Sequence, residues 1–222
     1  LSMQKYAKQV SYLSNDMVEE SKELIRALGL PIIQSPQESD AQGAYMVKNE
    51  DIWAFASSDA DTLLHGCPRT ISNLTLSEKR KVADGIVYIK PELIELEKVL
   101  AHLGITRDQL IIIGIMTGTD YNPGGISGIG PKKALKLIKQ KQEYEIIFKE
   151  LKSSFNWREI FETFISMPVL NTYTLEWKPI MEKKIFSLLV EKHNFSKERI
   201  EKGLKEIKRE LSEQKGLSSW LQ

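Results

Sequence analysis

Apolar residues recur at helical spacing through residues 4–28, where Tyr6, Val10, Tyr12, Leu13, Met17, Leu24, Ile25 and Leu28 stand among charges. The pattern predicts one long helix or two, with Asn15 and Asp16 offering the break and Gly29 the stop. It is already running at Leu1, with no initiating methionine, and so reads as the continuation of something upstream. Leu30, Pro31, Ile32 and Ile33 are short, apolar and β-branched, which predicts a buried strand. A helix over 35–48 follows. Ser35 is placed to cap it, Pro36 to open it and Glu38 to complete a capping box, with Ala41, Ala44, Tyr45 and Val47 on its packed side. Residues 51–56 form a second apolar run, with Trp53 expected in the core. Ser58 or Asp59 is then placed to cap a short helix over 60–65.

Residues 70–75 and 85–89 read as further strands, and Glu78, Lys79, Arg80 and Lys81 between them as a solvated turn. The period over 91–103 is helical and ends at Gly104. Thr106 opens the next helix, whose body from Leu110 to Met116 is apolar on all faces and so belongs inside. Beyond Gly130 only helical patterns appear, over 131–140, 144–151, 157–165, 182–191 and 196–215. The fold class expected is α/β, with a parallel sheet in the first part and a helical region after it. The boundaries expected are 1–29 for an entry helix, 30–120 for the α/β region, 121–210 for the helical region and 211–222 for a tail.

Net charge refines this picture. The formal charge of +1 hides two opposed parts. Residues 1–128 carry 12 Lys+Arg against 17 Asp+Glu, and residues 129–222 carry 19 against 13. The first part is suited to cations and the second to phosphates. Cys67 is the single cysteine, and His65, His102 and His193 have no ligand spacing, so a metal here would be held by oxygen. With no apolar run of membrane length and no signal-peptide pattern, an intracellular protein is the default expectation.

Five acids stand out because each follows a strand or a buried helix: Glu38, Asp40, Asp59, Asp61 and Asp120. Open α/β sheets gather groups from such junctions at one edge. Carboxylates crowded there repel one another unless protons or hard divalent cations, Mg²⁺ or Mn²⁺, occupy the site. Two such ions suit phosphodiester hydrolysis. Each acid also has a local explanation as a helix cap, so the reading rests on the set.

Gly128, Gly130 and Pro131 open a helix whose first turn can bind phosphate through backbone N–H groups. Lys132, Lys136 and Lys139 follow on one face with Lys133 beside them, and no acid intervenes between Asp120 and Glu143. Contacts of this kind hold a duplex by its phosphates without reading its sequence. An ordinary turn beside a solvated lysine face is the alternative. In the tail, Leu217, Trp220 and Leu221 fall on one side of a helical turn. That makes an apolar plug for a partner, unless it is a frayed helix end or docks on its own domain.

Taken together, these stretches resemble the flap endonucleases, the structure-specific nucleases of replication and repair. The carriers are Ser35 to Ala41, Ser57 to Asp61, Gly118 to Tyr121, Gly128 to Ala134 and Gln214 to Leu221. The resemblance implies a PIN-like 5′-nuclease core with Glu38, Asp40, Asp59, Asp61 and Asp120 as catalytic metal ligands, directly or through water. It implies a helix–two-turn–helix at the glycine loop that holds downstream duplex DNA, commonly with K⁺. It also implies a sliding-clamp peptide anchored by Gln214, Leu217, Trp220 and Leu221 on an otherwise monomeric protein of the nucleoid or nucleus. The family usually has Glu-x-Glu where this chain has Glu38 and Asp40, so the shorter arm at Asp40 implies contact through a bridging water. The family's amino-terminal strands, aspartates and arch have no counterpart here beyond residues 4–13, which read as the arch's returning leg. The rival expectation is a module that binds DNA and clamp without cutting. A small ribonuclease would leave the lysine helix and the tail unexplained.

Overall fold

The computed structural model describes residues 13–74, 79–82, 85–140 and 143–213. The chain divides into two compact units, one of residues 34–171 and one that joins the segments 1–33 and 172–222.

In the discontinuous unit, helix α1 (Asn15–Ala27) begins at the expected break. Ser14 caps it by accepting the Met17 N–H at 3.3 Å. Gly29 ends it in the left-handed region (φ 81°) and lies so close to Lys178 that a Cβ would fall 1.9 Å from the Lys178 carbonyl oxygen, a position only glycine can fill. Ala27 of α1 packs with Ile185 and Leu204, and the Met181 N–H donates to the Ala27 carbonyl at 2.8 Å.

The 34–171 unit contains α2 (Ser39–Lys48), β1 (Phe55–Ala56), α3 (Asp61–Leu64), β2 (Arg69–Ser72), β3 (Lys79–Val82), β4 (Gly85–Tyr88) and β5 (Glu92–Glu95). It continues through α4 (Leu96–Leu103), α5 (Arg107–Thr117), α6 (Pro131–Gln140), α7 (Tyr144–Glu150) and α8 (Trp157–Ser166). The other unit closes with α9 (Glu182–Phe186), a π-helical turn over Ser187–Lys192, and α10 (Lys197–Glu213).

The sheet is small. Its order is β1-β2-β5, with β1 parallel to β2 and β5 antiparallel to it in the register Thr70 to Ile94, while β3 and β4 pair as a separate antiparallel ribbon. Helix α5 is the core's centre, as its all-apolar body requires. Ile111, Ile112, Ile113, Ile115 and Met116 are buried against Leu64, Ile129, Ala134, Ile138, Ile147, Phe148 and Phe164. Its amino end is the expected capping box of Thr106 and Gln109, and Gly104 (φ 62°) stops α4 before it. Among the described residues no strand follows Gly130.

Five expectations are corrected. Residues 30–33 belong to no strand, because a strand needs a ladder partner and none of the described strands pairs there. Residues 35–38 are not a capping box. The Ser35 hydroxyl donates to the Gln37 carbonyl, and the helix starts at Ser39 with Glu38 at its N-cap position making no side-chain cap bond. Trp53 is 60% exposed, under the guanidinium of Arg69 at 5.7 Å, its short apolar run giving only two residues to the sheet. Lys79, Arg80 and Lys81 are not a turn but strand, held by backbone pairing to Tyr88, Val87 and Ile86. Residues 92–95, expected within the helix over 91–103, are strand, because the ladder to β2 outweighs their helical period.

Candidate metal and phosphate site

Each acid is delivered by a short local device. Glu38 and Asp40 stand at the start of α2, and freedom from capping leaves the Glu38 carboxylate available. Asp59 and Asp61 follow β1 at its carboxyl end. Asp59 Oδ1 accepts the Asp61 N–H at 2.9 Å, Ser57 Oγ accepts the Asp59 N–H at 3.1 Å, and Thr62 Oγ1 donates to the Asp59 carbonyl at 3.0 Å. The Ser57 hydroxyl also favours the ionised form of Asp40, which couples the two acidic pairs.

Asp120 follows α5 on a turn built around a buried amide. Asn122 Oδ1 accepts from Thr119 Oγ1 at 2.7 Å and Asn122 Nδ2 donates to the Ile115 carbonyl at 2.7 Å. The chain then folds back on itself at two glycines. A Cβ on Gly125 (φ 56°) would come within 2.5 Å of the Gly118 nitrogen and the Met116 carbonyl oxygen. The Ile126 N–H donates to that carbonyl at 2.9 Å, closing the loop onto the helix end.

The five carboxylates share one field. Burial first, then the charges of Asp59, Asp120, Asp40 and Glu38, push the Asp61 carboxyl up to about 6. Asp40 is also raised, by burial first, with relief from the Ser57 hydroxyl and further pressure from Asp59, Glu38 and Asp120. Among the described residues no lysine or arginine pairs with any of the five. A hard divalent cation suits such a donor set: it is all oxygen, all anionic and without an internal counter-charge. Among the described residues, no three of these groups stand close enough to hold one ion between them.

One contact had no signal in the sequence. Tyr121 Oη donates to Glu38 Oε1 at 3.4 Å. Burial, then the charge of Glu38 and the bond to it, push this phenol up to about 12. Its ring stands edge-on to buried Phe164 at 5.4 Å, and Phe164 lies 5.0 Å from the ring of His65. Burial, then Arg107 and Lys48, lower His65 to about 4. Both cations are occupied with helix-end carbonyls, Lys48 Nζ with that of His65 at 2.8 Å and Arg107 with those of Leu64 and Phe164.

The lysine helix α6 sits in the same unit, anchored by buried Ala134 and Ile138, with Lys132, Lys133, Lys136 and Lys139 exposed. Gly128 needs its glycine for a φ of 75°, whereas Gly130 has no positive φ and open space where a Cβ would be. Lys133 Nζ donates back to the Gly128 carbonyl at 3.3 Å. The candidate tail anchors Gln214, Leu217, Trp220 and Leu221 lie outside the described residues.

The acidic edge after β1 and α5 is followed in the chain by the glycine loop and the lysine helix. Residues 29–120 match the XPG I-region. Flap endonuclease 1 of Hyperthermus butylicus is 45% identical over 227 residues, covering 98% of this chain and 65% of that protein. The solved structure of flap endonuclease-1 from Methanococcus jannaschii shares 40% identity at a TM-score of 0.78 over 90% of this chain and 59% of that one. The catalytic core of Rad2 in complex with DNA, 17% identical at a TM-score of 0.68, shares the fold. The chain is similar to the flap endonucleases of archaea, and it spans just under two thirds of the length of the curated relatives it matches.

Proposed function

We propose that this chain carries the acidic edge and the duplex-holding helix of a structure-specific 5′-flap endonuclease, which hydrolyses DNA phosphodiester bonds at junctions of single and double strand. The observation that carries the reading is the crowding of Glu38, Asp40, Asp59, Asp61 and Asp120 with no counter-charge among the described residues, in the same compact unit as the lysine helix.

In this reading those five residues hold two Mg²⁺, or Mn²⁺, ions. Bound there, the ions supply the water activation and the positive charge that hydrolysis at phosphorus needs. The Asp61 amide holds the Asp59 carboxylate in place before an ion arrives. Lys132, Lys136 and the open backbone at Gly130 take phosphates of the downstream duplex, which fixes the distance between the held duplex and the acids. The cation drawn to the Gly128 carbonyl is here the Lys133 ammonium, and K⁺ is the free ion suited to the carbonyls of such a loop. Gln214, Leu217, Trp220 and Leu221 dock on a sliding clamp.

Incision of a 5′-flap duplex by this polypeptide, with and without Mg²⁺, tests the reading. Mg²⁺-dependent cleavage at the junction supports it. Tight flap binding without cleavage would instead support the binding module, which the lack of any three converging ligands among the described residues favours.

A further inference from the structure

We propose that Tyr121 is a positioning residue for the acidic edge: its hydroxyl fixes the Glu38 carboxylate in the orientation that receives a divalent cation. The inference rests on the reading of that edge as a cation site.

No main-chain group of the described residues holds the Glu38 carboxylate. The Asp59 carboxylate, by contrast, is held by the amide of Asp61 at 2.9 Å. The Glu38 residue is exposed, and it makes no cap bond to its own helix. A glutamate in that situation samples several rotamers, and ordering it on a cation costs side-chain entropy. The hydroxyl of Tyr121 removes part of that freedom, at 3.4 Å from Oε1.

The hydroxyl can do so because the residue beneath it is fixed in two ways. Its ring is set edge-on against Phe164, which is 2% exposed. Its N–H donates to Thr119 Oγ1 at 3.3 Å, and Thr119 is itself locked by the buried Asn122. Its chain neighbour is Asp120, so a single turn delivers one carboxylate to the edge and the donor that holds another. A donor fixed by packing orients a ligand group in the manner of outer-shell partners at metal centres generally.

The experiment is a titration of the full chain with Mn²⁺, read by the electron paramagnetic resonance of the free ion. It uses wild type, Tyr121→Phe, Glu38→Gln and the double variant. Tyr121→Phe keeps the ring on Phe164 and removes only the donor. It is expected to weaken Mn²⁺ binding about 3- to 10-fold with an unchanged melting temperature, and to add nothing in the Glu38→Gln background. Wild-type affinity in Tyr121→Phe would overturn the proposal while leaving the cation site standing. An equal loss with and without the Glu38 carboxylate would also overturn it, since the effect would then be one of packing. A wild-type chain that binds no Mn²⁺ would remove the cation-site reading and this inference with it.

Discussion

The Asp61 N–H donates to Asp59 Oδ1 at 2.9 Å, so the first acid of the Asp-x-Asp pair is held by the main chain of the second. The bond belongs to the backbone and survives any change of the Asp61 side chain. That separation makes Asp61 the position at which charge can be removed without loosening its neighbour.

Asp61→Asn should therefore stabilise the metal-free protein. The Asp61 carboxyl titrates near 6 in the fold against 3.8 in the unfolded chain, so the folded state binds more protons between those values. Its contribution is fully favourable below about 4 and is lost as pH rises through 6. At pH 7 the variant should melt a few degrees above wild type. Mg²⁺ should raise the wild-type melting temperature and leave the variant nearly unmoved. Thermal melts at pH 7 with and without Mg²⁺ check both parts, and a variant that melts below wild type would refute the crowding.

His65 works in the opposite direction. Lowered to about 4 by burial and by Arg107 and Lys48, it stays neutral in the fold while the unfolded chain protonates it near 6.5. Stability from His65 is present above about 6.5 and is lost as pH falls toward 4. In wild type the Asp61 and His65 slopes oppose each other between pH 4 and 6. Asp61→Asn should steepen the acid loss, and His65→Gln should flatten it. Melting temperatures of the three proteins at intervals from pH 4 to pH 7.5 read this directly.

What was legible in the sequence follows the range of each interaction. Helix α5 could be read because its Thr106 capping box, its Gly104 stop and its apolar body are all local. Asp59, Asp61 and Asp120 follow a strand and a buried helix that the pattern reports, whereas Glu38 and Asp40 stand behind residues 30–33, which form no strand, and the Asn122 turn that positions Asp120 leaves no signal. The strand expected at 30–33 failed because a ladder is a pairing at a distance, which one segment does not report, and the turn expected over Lys79 to Lys81 failed because a run of charges does not report the hairpin it forms with residues 85–88. The Tyr121 to Glu38 bond joins residues 83 apart in sequence. The capping box expected over 35–38 failed for the converse reason. Its residue types fit, but the Ser35 hydroxyl is spent on Gln37, and that left the role of Glu38 to be found elsewhere.

The glycines of the loop should separate by function. Gly125→Ala forces a Cβ onto backbone at 2.5 Å in a left-handed conformation, and nothing there can move cheaply. It should cost about 2 kcal/mol or more of stability. Gly130→Ala meets nothing in the fold and should change stability by less than about 0.5 kcal/mol. Held close to a phosphate, the added methyl should still weaken duplex binding. Denaturant melts and duplex titrations of both variants test this, and full duplex affinity in Gly130→Ala would take that backbone out of the interface.

The lysines of α6 offer a parallel separation. Lys132 is exposed, whereas Lys133 returns its ammonium to the Gly128 carbonyl at 3.3 Å. Each phosphate contact removed should reduce the slope of log affinity against log salt by about 0.9. Lys132→Ala should lose that whole increment and keep wild-type stability, since its side chain supports nothing inside the fold. Lys133→Ala also removes the donor that steadies Gly128, so it should lower stability and change the slope by less, because part of its charge is already engaged with the loop. Duplex affinities between 50 and 200 mM KCl, with Ca²⁺ in place of Mg²⁺ to suppress cleavage, distinguish the two. Equal slopes for both variants would mean that Lys133 releases Gly128 when DNA arrives, and an unchanged slope for Lys132→Ala would remove this helix from the interface.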